Sequence, residues 1–419
     1  MKRKLTGFAT LAALAIMAQA STAAAECSVK VGVVYPTSID WGKPIAATAL
    51  WVADMMNEAG GVDSCKIETV LRDDQSDPKV GVDAAKALVD LEKVPLVIGT
   101  VSSGVTIPIL TSVTAPAGVM QISCCSSSTR LTQIAAEGTT KGLWFRTFAT
   151  SNVQASVAAI LARDAGYKTV SILYKNDDWG QDIAKLAAAA FEAAGVKVVG
   201  STAITDGQPS YRAEVTEALG AKADAVYMAI YPKEGISVVR EWLSLGGTQN
   251  MIGTNSLKSD EFKQAVGLKY LASFQGTDTS TPRTESATAF VDAYKAHFGA
   301  PPAGPGLPNS FDAAAISLLA YAAAGKDATG ADIAAKVPMV TDPAGEKIAG
   351  TVEGFKKAIA LLKEGKSVSY QGGTGAVVFD KNGDVSAPAV AWSFTEGGIE
   401  EKRYIPLEEV GAFIDTIQK

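Results

Sequence analysis

Short apolar runs alternate with amphipathic stretches along most of the chain. Val29–Tyr35 (VKVGVVY) reads as a buried strand. A helix follows, with Pro44 in its first turn and Ile45, Ala49, Val52, Ala53 and Met56 spaced to share one face until Gly60-Gly61 stops it. Lys66–Leu71 is the next strand. Asp77-Pro78 supplies an N-cap and a first helical residue for a helix reaching about Glu92. Leu96–Ile98 and Val119–Ile122 are apolar throughout, as parallel strands covered on both faces are. This alternation predicts a doubly wound α/β lobe.

Leu143–Phe148 reads as a crossing strand, after which the pattern restarts. Strands are predicted at Thr169–Tyr174, Val196–Ser201, Ala225–Ile230 and Met251–Gly253, with helices at Gly180–Ala194, Ser210–Leu219 and Gly235–Leu245 between them. The second half repeats the architecture of the first without repeating its residues. Ala272–Gln275 reads as a crossing back. Amphipathic helices follow at Thr284–Phe298, Ser310–Ala324 and Val352–Glu364, with a Pro/Gly-rich loop at Pro301–Pro308. The tail Ala376–Tyr404 reads as short strands turning at Asn382-Gly383 and Gly397-Gly398, closed by a helix at Leu407–Ile417.

Two of the predicted strands run directly into clusters of small hydroxyl residues. Leu96–Ile98 leads to Thr100-Val101-Ser102-Ser103-Gly104, and Val119–Ile122 leads to Ser123-Cys124-Cys125-Ser126-Ser127-Ser128-Thr129. Ligands of open parallel sheets sit at the carboxyl ends of the strands. Small residues there let backbone N–H groups approach an anion. Either loop alone is explained as well by helix capping. The pair points to one site for a small carboxylate, held by hydroxyls and amides.

Composition narrows the setting. Lys2-Arg3-Lys4, the apolar stretch Leu5–Ala18 and Ala23-Ala24-Ala25 have the form of an export signal cleaved after Ala25, which places the mature chain in the periplasm. Glu26 stands before Cys27 where a lipidated protein would need a small residue. No later stretch is apolar for long enough to span a bilayer. Without Lys2, Arg3 and Lys4 the 38 basic residues fall to 35 against 44 acidic ones, a formal charge of −9. That balance, with no basic tract, argues against nucleic acid as a partner. An exported chain permits disulfides. Cys27 and Cys65 each precede a strand, and those strands are neighbours in a doubly wound sheet, so a Cys27–Cys65 bridge is expected. For Cys124 and Cys125 two outcomes are open, a vicinal disulfide or two thiols, and thiols are expected.

Several signals lead nowhere. Asp380-Lys381-Asn382-Gly383-Asp384 imitates the start of a calcium loop, but Val385 stands at the glycine position and Ala391 at the final glutamate, so a hairpin turn is expected. No Gly-Lys-Ser/Thr follows Gly99–Gly104, and no GxGxxG opens a helix. His297 is the single histidine, which argues against a His-based triad or a His-rich metal site. Asp73-Asp74 and Asp177-Asp178 read as capping or solvated carboxylates. With neither a nucleophile–base pair nor a metal set, the reading is of a binding protein without catalytic residues, metal or cofactor.

The runs VGVVYPTSIDWGKPIAATALWVADMMNEAGGV, RDDQSDPKVGVDAAKALVD and VIGTVSSGVT, in that order, resemble the leucine/isoleucine/valine-type periplasmic binding proteins of ABC transporters. The resemblance covers essentially the whole mature chain. It implies the type I periplasmic binding protein fold: α/β, two doubly wound Rossmann-like lobes joined by three crossing segments. The implied division is a signal peptide at 1–25, an N-terminal lobe of 26–148 plus 278–385, and a C-terminal lobe of 149–277 plus 386–419. It also implies a monomer that captures a small carboxylate by lobe closure and delivers it to an ABC permease in the inner membrane. A ligand-binding subunit of an amide or organic-acid sensor would look the same.

By the same resemblance, Trp41 is a cleft aromatic and Ser103 holds the ligand carboxylate. Cys125 stands where the family uses a backbone carbonyl toward the ligand's amino group, and Ser127 where it uses a threonine. Ser126 between them completes the cradle. From the second lobe, Trp179 and Tyr231 are expected to close over the ligand; packing alone is the competing explanation for these aromatics. One position departs from the family: Asn255 replaces a glutamate that pairs with the ligand's ammonium. Either the ligand lacks an α-amino group, as an aromatic or aliphatic organic acid or an amide does, or Asp278 takes the charge instead.

Overall fold

The computed structural model describes residues 27–417, so the export signal at 1–25 lies outside the described residues. The first sheet contains β1 (Ser28–Tyr35), β2 (Lys66–Asp73), β3 (Leu96–Gly99), β4 (Met120–Ser123) and β5 (Trp144–Arg146), all parallel in the order β2-β1-β3-β4-β5. The stretch expected to cross between lobes is therefore this sheet's edge strand: β5 lies beside β4 with Ser123 opposite Arg146. Its Trp144 packs with Leu110, Leu131 and Ile134, and that burial keeps it in the sheet.

The second half adds β6 (Thr169–Lys175), β7 (Lys197–Ile204), β8 (Ala225–Ala229), β9 (Met251–Gly253) and β10 (Gln275–Thr279). A small sheet of β11 (Glu346–Ala349), β12 (Val368–Gly372) and β13 (Gly375–Ala376) belongs to the first half's helical layer. The hairpin β14 (Ala389–Thr395) and β15 (Gly398–Ile405) then returns to the second sheet, whose order is β15-β14-β10-β9-β8-β6-β7. β10 is a full member of that sheet, parallel to β9 and antiparallel to β14, and the 277/278 boundary falls inside it. The chain thus passes between the sheets three times: after β5, after β10 and before β14.

The start of β1 explains the first disulfide. Ser28 pairs with Lys66, so the preceding cysteines meet; Cys27 and Cys65 are bonded with Cα atoms 4.6 Å apart. Closing that loop stabilises by about 2–4 kcal/mol. Helix Pro78–Lys86 starts as read, Asp77 accepting from the amides of Lys79 and Val80 at 2.9 Å each. The centre of the first lobe is helix Leu307–Ala324, buried on nearly every side against helices Lys43–Glu58 and Gly330–Val340. The latter helix, not foreseen, opens on a capping box between Thr329 and Asp332.

Two local expectations are corrected. Asn382-Gly383 does form a tight turn, with the Asp380 amide donating to Asp384 O at 2.8 Å, but no strands flank it. The residues before it pack inward instead, Val377 into the first core and Phe379 against Phe145 at 5.2 Å between ring centroids. Cys124 and Cys125 form a disulfide rather than two thiols. Ser123 Oγ accepts the amides of Cys125 (3.2 Å) and Ser126 (3.1 Å), a turn that folds the adjacent side chains together.

Candidate functional site

The loops after β3 and β4 are joined by hydroxyls. Ser103 Oγ accepts the Ser128 amide at 3.1 Å, Thr106 Oγ1 meets Ser126 Oγ at 2.7 Å, and Ser123 Oγ donates to Thr100 O at 2.6 Å. Ser126 is fully buried in this network, its hydroxyl also donating to Val101 O at 3.1 Å. It joins the loops from behind and does not line the cleft, which corrects its expected role as a ligand contact.

Arg146 fastens the same loop. Its guanidinium, fully buried, donates to Ser126 O (3.1 Å), Ser128 O (2.8 Å), Thr132 Oγ1 (2.7 Å) and Asp384 Oδ1 (2.7 Å). Two carbonyls and a carboxylate converging on one planar cation fix the loop's path. Sequence reading missed this residue. Its one local signal is a charge inside the apolar run Trp144-Phe145-Arg146.

Between the sheets lies a cavity of about 60 Å³. Trp41, Ser103, Cys125 and Ser127 line it from the first lobe, and Trp179, Tyr231 and Asn255 from the second. Seven of the eight positions singled out in the sequence thus meet in one place, Ser126 being the exception. Ser127 Oγ accepts from Ser151 Oγ at 3.0 Å. The three aromatics form a stack spanning the cleft: Trp41 to Tyr231 at 5.6 Å and Tyr231 to Trp179 at 5.0 Å between centroids. Burial drives the Tyr231 phenol's pKa up, against an opposing hydrogen bond from Ser102, so the ring stays neutral.

The lobes also touch directly. The Thr129 amide donates to Asp182 Oδ2 at 2.9 Å and its hydroxyl bonds Asp182 Oδ1. Gly104 faces Asp177, where an added Cβ would come within 3.4 Å of the carboxylate side chain. Asp177 caps helix Asp178–Ala193 by accepting the Gly180 amide at 2.8 Å, and burial pushes its carboxyl up to about 6. On the other wall, Gly306 has φ +76° and approaches Cys125 so closely that a Cβ would lie 2.6 Å from Sγ.

Asn255 forms the far end of the cavity. Its backbone amide donates to Gln154 Oε1 (3.0 Å) and its Oδ1 accepts from Gln154 Nε2 (3.1 Å), which fixes the side-chain amide. Asp278 is bonded to Lys258 Nζ at 3.0 Å; burial raises its carboxyl's pKa while Lys258 and Asn255 oppose that rise. Lys258, not Asp278, lines the cavity. No aspartate or glutamate is among the described residues that line it. Lys258, Phe148, Pro305 and Gly306 were not identified in the sequence.

The family model of the periplasmic binding proteins matches residues 28–390. The chain belongs to this family. A Leu/Ile/Val-binding protein, BraC3, of Rhizobium johnstonii is 27% identical over 394 residues, covering 93% of this chain and 97% of that protein. The substrate-binding protein BasB of a chemotactic signal transduction system in Halobacterium salinarum is 27% identical over 354 residues, 83% of this chain and 81% of that protein. In fold, the chain matches the branched-chain amino acid transporter substrate-binding protein LivJ of Streptococcus pneumoniae, solved with isoleucine. The TM-score is 0.71 at 21% identity, covering 90% of this chain and 99% of that one. The chain is thus a periplasmic binding protein with the type I fold, and the relatives it matches are substrate-binding proteins. Among the described residues, no helix is long and apolar enough to cross a membrane.

Proposed function

We propose that this protein captures a small carboxylate between its lobes and delivers it to an ABC permease in the inner membrane. It acts in the periplasm as a monomer after cleavage following Ala25. The observation carrying this reading is the convergence of Ser103, Ser127 and the Cys125 loop with Trp41, Trp179 and Tyr231 on one interlobe cavity. The first lobe offers hydroxyls on a loop whose path Arg146 fixes through Ser126 O and Ser128 O, so little ordering is lost when an anion arrives. Contacts to Trp179, Tyr231 and Asn255 exist only when the lobes are together, so a ligand touching both faces biases the hinge toward the closed form.

The ligand is a branched-chain or related amino acid, or its des-amino or aromatic organic-acid counterpart. The second of these is favoured, because a buried ammonium beside Asn255 would lack a free carboxylate partner. Calorimetric titration with carboxylates, paired with small-angle scattering, tests the reading. Binding accompanied by compaction supports it; binding of no carboxylate contradicts it. A sensory role is the second reading, favoured by the similarity to BasB. Co-purification with a permease rather than a receptor separates the two.

A further inference from the structure

Lys258 occupies an unusual place in this cleft. It lines the interlobe cavity and also a larger one of about 220 Å³ on the hinge side, formed by Thr147, Ser280 and Asn309 among others. Asp278 lines only the hinge-side cavity. The carboxylate thus holds the ammonium from behind at 3.0 Å, and this is the one hydrogen bond the ammonium makes among the described residues. An ammonium carries three donors, so two remain for whatever lies in the cavities.

Resting on the carboxylate-receptor reading, we infer that Lys258 is a specificity-determining residue: it selects a carboxylate bearing a second oxygen acceptor where an amino acid bears its ammonium. A carboxylate anchored at Ser103 and Ser127 directs the rest of the ligand toward the Asn255–Lys258 end. A ligand ammonium arriving there meets a cation, a side-chain amide held by Gln154, and a carboxylate already bonded to Lys258. A keto, hydroxyl or second carboxylate oxygen meets two free charged donors instead. The adjoining hinge-side cavity gives that second group room.

The test is calorimetric titration of the mature chain with matched sets sharing one carbon skeleton. Leucine, 4-methyl-2-oxopentanoate and 4-methylpentanoate form one set, and phenylalanine, phenylpyruvate and 3-phenylpropanoate a second. Within a set that binds, the ligand with the second oxygen is expected to bind at least about tenfold tighter than the plain acid, an amino acid weakest of all. The double variant K258M/D278N, which leaves no lone buried charge, should erase that preference, the second-oxygen ligand binding no tighter than the plain acid. An amino acid binding tightest overturns the inference and leaves the carboxylate reading standing, as does a preference that survives in the double variant. Binding by no member overturns both. If the double variant does not fold, the wild-type ranking alone decides.

Discussion

The first-lobe face of the cleft is a pair of loops bonded to each other, whereas the second-lobe face is a set of side chains anchored separately to their own strands and helices. Ser103, Ser123, Ser126 and Arg146 hold the first face together by bonds within the protein. Trp179 comes from the first turn of helix Asp178–Ala193, Tyr231 from the N-cap of helix Pro232–Ser244 and Lys258 from the end of the turn Asn255–Leu257, fixed respectively by the Asp177 cap, an aromatic stack and Asp278. The difference separates two tasks. A pre-organised face grips the group common to all candidate ligands, and the other face discriminates among what that group is attached to.

Breaking the first face should have the largest effect. Arg146→Met leaves buried Asp384 without its cation and Ser126 O and Ser128 O without their donor, and a loss of about 3–5 kcal/mol is expected in urea denaturation, with ligand binding abolished. Ser103→Ala removes a hydroxyl from the carboxylate and strands the Ser128 amide. An affinity loss of about 1.5–3 kcal/mol is expected by calorimetry, with stability changed less.

Ionisation compares the faces next. Burial raises the carboxyl of Asp74, behind the first face, to about 7 and that of Asp177, on the second, to about 6. Above the ordinary carboxylate range and below those values, the native protein keeps protons that the unfolded chain has released. Stability should therefore fall as pH rises through 6 and 7, by up to about 1.4 kcal/mol per pH unit for each group, and level off above. Thermal melts from pH 5 to pH 8 check this. Asp74→Asn should flatten the upper part of the decline and Asp177→Asn the lower. The smallest effect is expected where the faces touch: Thr129→Val removes the hydroxyl bond to Asp182. It should weaken binding by about 0.5–1.5 kcal/mol through a less favoured closed form, with the first-lobe melt unchanged.

What could be read from the sequence follows the same division. Strand–helix alternation and the Cys27–Cys65 bridge were legible because period and neighbouring strands are local consequences of chain order. Helix Asn152–Asp164 was not, since Val153 to Ala162 are buried all round and present no amphipathic stripe. Strand β5 looked like a linker because a three-residue edge strand carries little pattern. The loop hydroxyls and aromatics announced themselves by position after strand ends, yet Ser126 could not be told from Ser127 without knowing which side faced Thr106. Arg146 and Lys258 were invisible as site residues because tertiary folding supplies their partners. Asp384 is 238 residues from Arg146, and Asp278 meets Lys258 only because β10 pairs beside β9.

A crystal structure of the mature chain with its tightest carboxylate ligand tests the division most directly. The expected result is a carboxylate within hydrogen-bond distance of Ser103 and Ser127, with the remaining polar group facing Lys258. A ligand whose carboxylate sits on Lys258 while Ser103 and Ser127 touch nothing, or one bound outside the interlobe cavity, would contradict it.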